Sequence, residues 1–423
     1  MSTFLGLETM RRAVGTNRSA LQTVGNNIAN AGTPGYSRQR VNLQATGGYP
    51  GVGTFGQPAI SGRLGTGVEV KGVQRIRDQF LDRQFRSEVH IEGAAFMQHR
   101  TLERLEDLYN EAPTNSDLPS GLSGQLSAFW NGWKDLASGQ ENQGVLVEQG
   151  KAISDTFSHL HSAFESELEN LAQEFELTEK KMADLLKQIE INNQTIAKAE
   201  RGGQIPNELY DEQDRLLDEL AVLVPIQVNR TESSPGVAKG AEGIYVVEIL
   251  ATSTGGGELA GIEKAIGRVE KEVEKLKELA GLFVHEVNER YSGGEEPMFF
   301  IFDPETGLFQ MNHQFTDDPS SIDQTAAEAI GKMADDGEVM KMYRDMMGQL
   351  AVEASAMRRE TESSNARLAN IEGNRMSMSG VSLDEELAML IQYQHSYNAA
   401  ARAMTAMDEM LNTIINGMGV VGR

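Results

Sequence analysis

The sequence predicts a mainly α, elongated, multi-domain rod: terminal helices paired as a coiled coil, a long-helix bundle as the body, and a small inserted β element. Three observations carry that expectation. Apolar residues recur at alternating steps of three and four near both ends of the 423-residue chain, the spacing of a coiled-coil seam. Several interior stretches keep the same spacing over many turns. Only a few short segments show the period-two alternation of strands.

Residues 3–30 read as one amphipathic helix. Leu7, Met10, Val14, Asn17, Leu21, Val24 and Ile28 form its seam. Asn17 is the single polar member, as expected where register matters more than stability. Small residues elsewhere on this helix, Ala13, Gly15, Ala20 and Gly25, would let other helices approach closely. Gly32 suits a C-terminal cap and Thr33-Pro34-Gly35-Tyr36 is β-turn chemistry. Extended alternation follows from Arg38 to Gln44, then a glycine-rich stretch from Gly47 to Gly72.

Helical periodicity returns from Asp78 to about Glu111. A loop holding Pro113 and Pro119 leads to a shorter helix, Leu122 to Leu136, which carries Trp130 and Trp133. Leu146 to about Ala199 reads as one very long helix, with Ile153, Phe157, Leu160 and Phe164 opening its seam. Gln204 to Asp214 is a capped turn into a short helix, and Val222–Val228 and Gly243–Leu250 read as strands. From Leu259 through Val269, Leu276 and Phe283 to Val287 the three-four alternation holds without a break. Tyr291 to Pro319 reads as irregular; helix resumes near Ala326 and runs from Glu338 to Arg375.

The last segment mirrors the first. Leu383, Leu387, Leu390, Gln394, Tyr397, Ala401, Met404, Asp408, Leu411 and Ile415 form the expected seam, widened by Met407, Met410 and Ile414. Ser382 or Ser379 can cap this helix, and Asp384, Glu385 and Glu386 suit its positive end. Neither terminal seam has a partner nearby in sequence, so the first and last helices are expected to pair, bringing both termini to one end. A lone two-helix end is marginal in water, so neighbouring subunits would complete it. The expected division is 1–34 with 383–423, 35–203 with 257–382, and a small insertion at 204–256.

Composition narrows the function. The chain has no cysteine, which excludes a disulfide framework, thiol catalysis and cysteine-bound zinc. Its net charge is −24, yet the first fifty residues hold five arginines against Glu8 alone. An acidic body argues against general nucleic-acid binding. The basic head either favours contacts with neighbours or simply contrasts with solvated acidic helix faces. No apolar run has signal-peptide form after Arg11 and Arg12, and none has the length of a membrane span. The expectation is a soluble chain, or one exported without a cleaved signal.

Candidate chemistry is thin. Gly51-Val-Gly-Thr-Phe-Gly56 matches GxGxxG but lacks the flanking strand and helix a dinucleotide site requires. Thr254-Gly-Gly-Gly257 lacks the lysine of a phosphate loop and reads as a flexible connector. His159 and His161 point to different faces of one helix, and no histidine lies in HExxH. Asp317-Asp318 and Asp335-Asp336 read as solvated loops. The sequons at Asn17 and Asn193 fall on helices. No catalytic residue, cofactor or metal is expected.

The run Gly25-Asn-Asn-Ile-Ala-Asn-Ala-Gly-Thr-Pro-Gly-Tyr-Ser37 resembles the signature of bacterial flagellar axial proteins, with Asn26, Asn27, Asn30, Pro34, Gly35 and Tyr36 as its motif positions. Gly380-Val-Ser-Leu-Asp-Glu-Glu-Leu387, Gln394 to Ala401 and Met418 to Arg423 narrow the resemblance to the hook-associated protein 1 (FlgK) family, at the hook–filament junction. Phe129-Trp-Asn-Gly-Trp-Lys-Asp-Leu136, Asp211-Glu-Gln-Asp-Arg-Leu-Leu217, Gly256-Gly-Glu-Leu-Ala-Gly261 and His285-Glu-Val-Asn288 extend it through the interior. Two departures stand out: the outer domains are reduced, and Asn142-Gln-Gly-Val-Leu lacks an arginine usual near that point.

The resemblance implies a structural role without catalysis and an extracellular place in the flagellum. It implies self-association in a ring or helical turn, with the seam residues as interface. The implied partners are hook protein, the second junction protein, and an export chaperone at the C-terminal helix. A distal rod or hook subunit would share the N-terminal motif but lack the helix at 146–199. A non-flagellar helical adaptor would share the heptads but not the asparagine-rich turn.

Overall fold

The computed structural model describes residues 3–49, 65–109, 121–139, 143–231, 241–250, 256–333 and 337–417. Gly51–Gly56, Pro113, Pro119, Asn142, Thr254, Asp335–Asp336 and the last six residues lie outside the described residues.

The chain is mainly helical and elongated. Helix α1 (Thr3–Ala29) is followed by the hairpin β1 (Gln39–Ala45) and β2 (Val68–Arg75). Then come α2 (Gln79–Tyr109), α3 (Gly121–Ala137), the 59-residue α4 (Gln143–Arg201) and α5 (Asn207–Leu223). The hairpin β3 (Ile226–Thr231) and β4 (Ile244–Ile249) leads to α6 (Gly257–Ser292). A short hairpin, β5 (Phe300–Phe302) and β6 (Phe309–Met311), precedes α7 (His313–Asp317) and α8 (Ala327–Gly331). Helices α9 (Glu338–Ser379) and α10 (Leu383–Asn412) complete it. All three hairpins are antiparallel, and β1–β2 shifts register between Asn42 and Leu43.

The body is a bundle of α2, α3, α4, α6 and α9 around one large core. Trp130, Trp133, Phe129, Phe157, Phe164 and Phe283 are fully buried there. Every α6 seam residue is buried or half-buried. A second core lies under α5 and β3–β4, where Tyr210, Leu217 and Leu220 meet Leu185, Ile189 and Ile196 from the far half of α4.

Two close approaches fix the body. A Cβ on Gly261 would lie 2.9 Å from Cα and O of Ala94, so α2 and α6 cross backbone to backbone. Gly257 has φ +87°, and a Cβ there would lie 2.3 Å from the Leu223 carbonyl oxygen. Gly256 and Gly257 are therefore packed positions and not the flexible connector expected.

Other expectations are also revised. Part of the glycine-rich stretch is β2, because its Val-Glu-Val-Lys start can pair with β1. Strand β3 begins later than expected because α5 continues to Leu223. The left-handed residue after α1 is Gly35 (φ +79°) rather than Gly32. Ser382 occupies the N-cap of α10 without a side-chain cap bond, and the Ser379 hydroxyl bonds back to Arg375 O. The irregular 291–319 region contains β5–β6, whose Phe300 and Phe309, with Phe299, enter the aromatic core.

Helices α1 and α10 pair antiparallel. Gly6 abuts Met407, and Asn27 meets Glu386, so both termini share one end. The α1 seam is half-buried at Leu7, Met10, Val14, Asn17, Leu21 and Ile28 and buried at Val24. On α10 the covered stripe is Glu386, Leu390, Tyr393, Tyr397, Ala400, Met404, Met407 and Leu411. Of the expected seam, Leu390, Tyr397, Met404 and Leu411 lie on this stripe, and Ala401 beside it is half-buried. Leu383, Leu387, Gln394, Asp408 and Ile415 are exposed instead. Apolar periodicity passed over Glu386, whose carboxylate is matched by Asn27 and Arg38 and so can be buried.

Candidate assembly joint

The turn after α1 joins the terminal pair to the body through polar contacts. Asn27 is completely buried. Its Nδ2 donates to the Gln39 carbonyl at 2.9 Å and to Glu386 Oε2 at 3.0 Å. Its Oδ1 accepts from the Gln39 N–H at 3.0 Å and from the Tyr36 hydroxyl at 2.9 Å. One amide therefore pairs with both backbone groups of a β1 residue, as a strand would, and spends its other N–H on α10. Only a side chain with adjacent donor and acceptor can do this.

The other motif residues shape the turn. Asn26 Nδ2 donates to the Tyr36 hydroxyl at 3.1 Å. Asn30 Nδ2 donates to Asn26 O and Oδ1, both at 3.0 Å, while its Oδ1 accepts from the Thr33 hydroxyl. Pro34 is exposed, and Gly35 takes the left-handed conformation that glycine adopts without steric cost. Burial, then the charges of Asp211, Glu208 and Glu386, push the Tyr36 phenol up to about 12, keeping it a donor.

Arg38 carries the joint onward. Its Nε donates to Glu386 Oε1 and its Nη1 to Glu385 Oε2, both at 2.7 Å. Its backbone N–H bonds the Ser379 carbonyl at the end of α9, 2.9 Å away. The neighbouring Ser37 N–H donates to Asp211 Oδ2 on α5 at 3.1 Å.

Asp211 opens onto a buried ionic cluster of five arginines and five carboxylates: Arg75, Arg77, Arg86, Arg230 and Arg375 with Asp82, Asp211, Asp214, Asp218 and Glu242. Arg75 bonds Asp211 at 2.9 Å, Glu242 through Nε and Nη2, and the Tyr245 hydroxyl at 2.8 Å. Asp214 is fully buried, 2.7 Å from Arg75, 2.9 Å from Arg86 and 3.4 Å from Arg77. Burial alone would raise its carboxyl pKa, but Arg77, Arg75 and Arg86 outweigh that and hold it well below the usual range. Glu242 is lowered in the same way, against its burial, by Arg75 and Arg230. At Asp211 burial wins and the pKa rises. Equal and opposite charges with dense hydrogen bonding make such burial tolerable, and loss of one partner costly.

The cluster ties β2, α2, α5, β3 and α9 together beside the joint. Sequence periodicity does not reveal it. Its signal is the spacing Asp211, Asp214, Asp218, which places three carboxylates on one face of α5, with Arg75 closing β2 and Arg77 just beyond it. Among the described residues, no group of three or more His, Asp or Glu could hold a metal, and no helix is long and apolar enough to cross a membrane.

Residues 102–239 match the profile of the flagellar hook-associated protein FlgK helical domain. Residues 7–36 match the flagella basal body rod protein profile, and 372–417 the C-terminal profile of flagellar basal body rod FlgEFG proteins. Flagellar hook-associated protein 1 of Bacillus subtilis (strain 168) is 32% identical over 512 aligned positions, covering 100% of both chains. That alignment is longer than this chain, so the relative carries segments absent here. The Salmonella typhimurium protein of the same name is 27% identical over 232 residues, 50% of this chain and 37% of that one. The flagellar hook junction protein FlgK from Burkholderia pseudomallei superposes over 52% of this chain and 47% of its own, with TM-score 0.33 and 16% identity. Matches at both ends and in the helical body, and a relative aligned from end to end, place the chain in the flagellar hook-associated protein 1 (FlgK) family.

Proposed function

We propose that this chain is a structural subunit of the hook–filament junction, joining hook to filament by assembly of its terminal helices. The observation that carries the reading is the antiparallel pair of α1 and α10, held to the body by Asn27, Arg38 and Glu386, in a chain related over its full length to hook-associated protein 1. The subunit works by shape and contact, and no bond is made or broken. Self-association in a ring or helical turn brings the seam residues of 1–34 and 383–423 towards the inner tube, with the 35–203/257–382 bundle outside and 204–256 on its flank. Hook protein and the second junction protein are the neighbours below and above. Export proceeds without a cleaved signal, and a chaperone holds the C-terminal helix before secretion.

Deletion of the gene tests the role. Cells lacking it should build hooks that carry no filaments. Filaments on the hooks of the deletion strain would overturn the reading.

A further inference from the structure

A cavity of about 270 Å³ lies where the terminal pair meets the body, walled by α1, β1 and α10. Val24, Val41 and Met389 supply its apolar lining, with Tyr393 beside them. About 150 Å³ is enough to hold benzene, so the space takes one ring and a short chain. Two of its polar members are already engaged. The Thr23 hydroxyl donates to Ser19 O at 3.1 Å. The Arg38 guanidinium pairs with Glu385 and Glu386, neither of which lines the cavity.

Gln39 and Arg40 are not engaged. Asn27 holds both backbone groups of Gln39, yet the side chain of this residue, only 7% exposed, has its Nε2 buried without a hydrogen bond. Buried donors in native chains almost always have a partner. The terminal torsion of an amide is soft, so its N–H groups can turn to the cavity. Arg40, the exposed member of the lining, makes no ion pair or hydrogen bond among the described residues. A carboxylate can accept from an amide and a guanidinium together. Tyr393 and Met389 suit an aromatic ring beside them.

We propose that this cavity is a binding site for a small organic carboxylate with a ring-sized apolar body. Gln39 and Arg40 take the carboxylate, and Val24, Val41, Met389 and Tyr393 take the ring. The walls come from β1 on one side and α10 on the other. An occupant therefore fastens the terminal pair to the body, adding to the bond between Asn27 and Glu386. The site is independent of the junction role.

Calorimetric titration of the full-length protein with phenylpropionate, and with phenylpropanol and phenylpropylamine as neutral and cationic isosteres, tests the site. The acid should bind with a Kd on the order of 1 mM or below, ordinary for a fragment of that size, and the amine should not bind. With the acid at about ten times its Kd, hydrogen exchange across 386–397 should slow about tenfold, because opening α10 destroys the site. Arg40→Gln should reduce the acid to the affinity of the alcohol. Gln39→Met keeps the side-chain length and removes the amide. It should weaken the acid about tenfold and melt no lower than wild type, since the amide has no partner to lose. Equal affinity of acid and alcohol for the wild type, or unchanged affinity of the acid for Gln39→Met, would overturn the carboxylate site. Binding by none of the three would also overturn it and leave only a void between strand and helix. A Gln39→Met protein that melts well below wild type would overturn it too, by showing that the amide serves the fold.

Discussion

Asn27 holds its place by saturation: both amide hydrogens and the carbonyl oxygen are used, and its partners come from β1, the following turn and α10. Asn27→Asp keeps the shape but removes the two donors and sets a second carboxylate beside the buried Glu386. The loss should be about 3 kcal/mol, in the range for a buried polar group left unmatched next to a like charge. It should appear in hydrogen exchange as faster opening of residues 383–400, with the bundle amides of α3 and α6 unchanged. Equal protection of α10 in wild type and variant would show that Asn27 does not couple the two. The motif was legible in the sequence as a signature, but its partners were not. Glu386 lies 359 residues away, and no local pattern announces that a carboxylate at an apolar period will be buried.

Elements were readable where one period governed them. Helices α2, α3, α4 and α6 fall close to their expected bounds because each keeps an apolar stripe long enough to outweigh local preference, whereas the apolar stripe of α9 ends near Ala354 and its far half is mostly polar. Hairpin β5–β6 escaped because its strands have three residues each, too short for alternation to register. On α10 the period was right, and alternate seam members were displaced by one residue. Glu386 is its most buried position and carries no apolar signal, and Ala400 cannot be told from Ala399 and Ala401 beside it by residue type. Close crossings depend on glycine in the same silent way. Gly261→Val would drive a branched side chain into the Ala94 backbone, which cannot rotate aside as a side chain would. The variant should lose about 1–3 kcal/mol in chemical denaturation. Gly267→Ala, on the same helix with nothing within 4 Å of its Cβ, should gain about 0.5–1 kcal/mol. Equal stabilities for the two variants would refute the crossing.

Across the whole molecule, acidity and the buried cluster set opposing pH responses. Asp211, Glu92, Glu106 and Glu258 have carboxyl pKa values raised first by burial. A raised acid binds protons more readily folded than unfolded, so acidification from neutrality favours the native state. Relief of self-repulsion at a net charge of −24 acts in the same direction. Asp214 and Glu242 are the opposite case, depressed by arginines despite their burial. A depressed acid stabilises fully above its unfolded value, near 3.8 for Asp and 4.5 for Glu, and that stability drains as pH falls towards the folded value. The melting temperature should therefore rise modestly from about pH 7 to about pH 5 and fall steeply below about pH 4. Hydrogen exchange should show α5 and the start of α2 opening first on the acid limb, because the cluster joins them. A melting temperature that stays level to about pH 3 would mean that the arginines do not hold Asp214 ionised. The joint between terminal pair and body would then owe its rigidity to Asn27 and Arg38 alone.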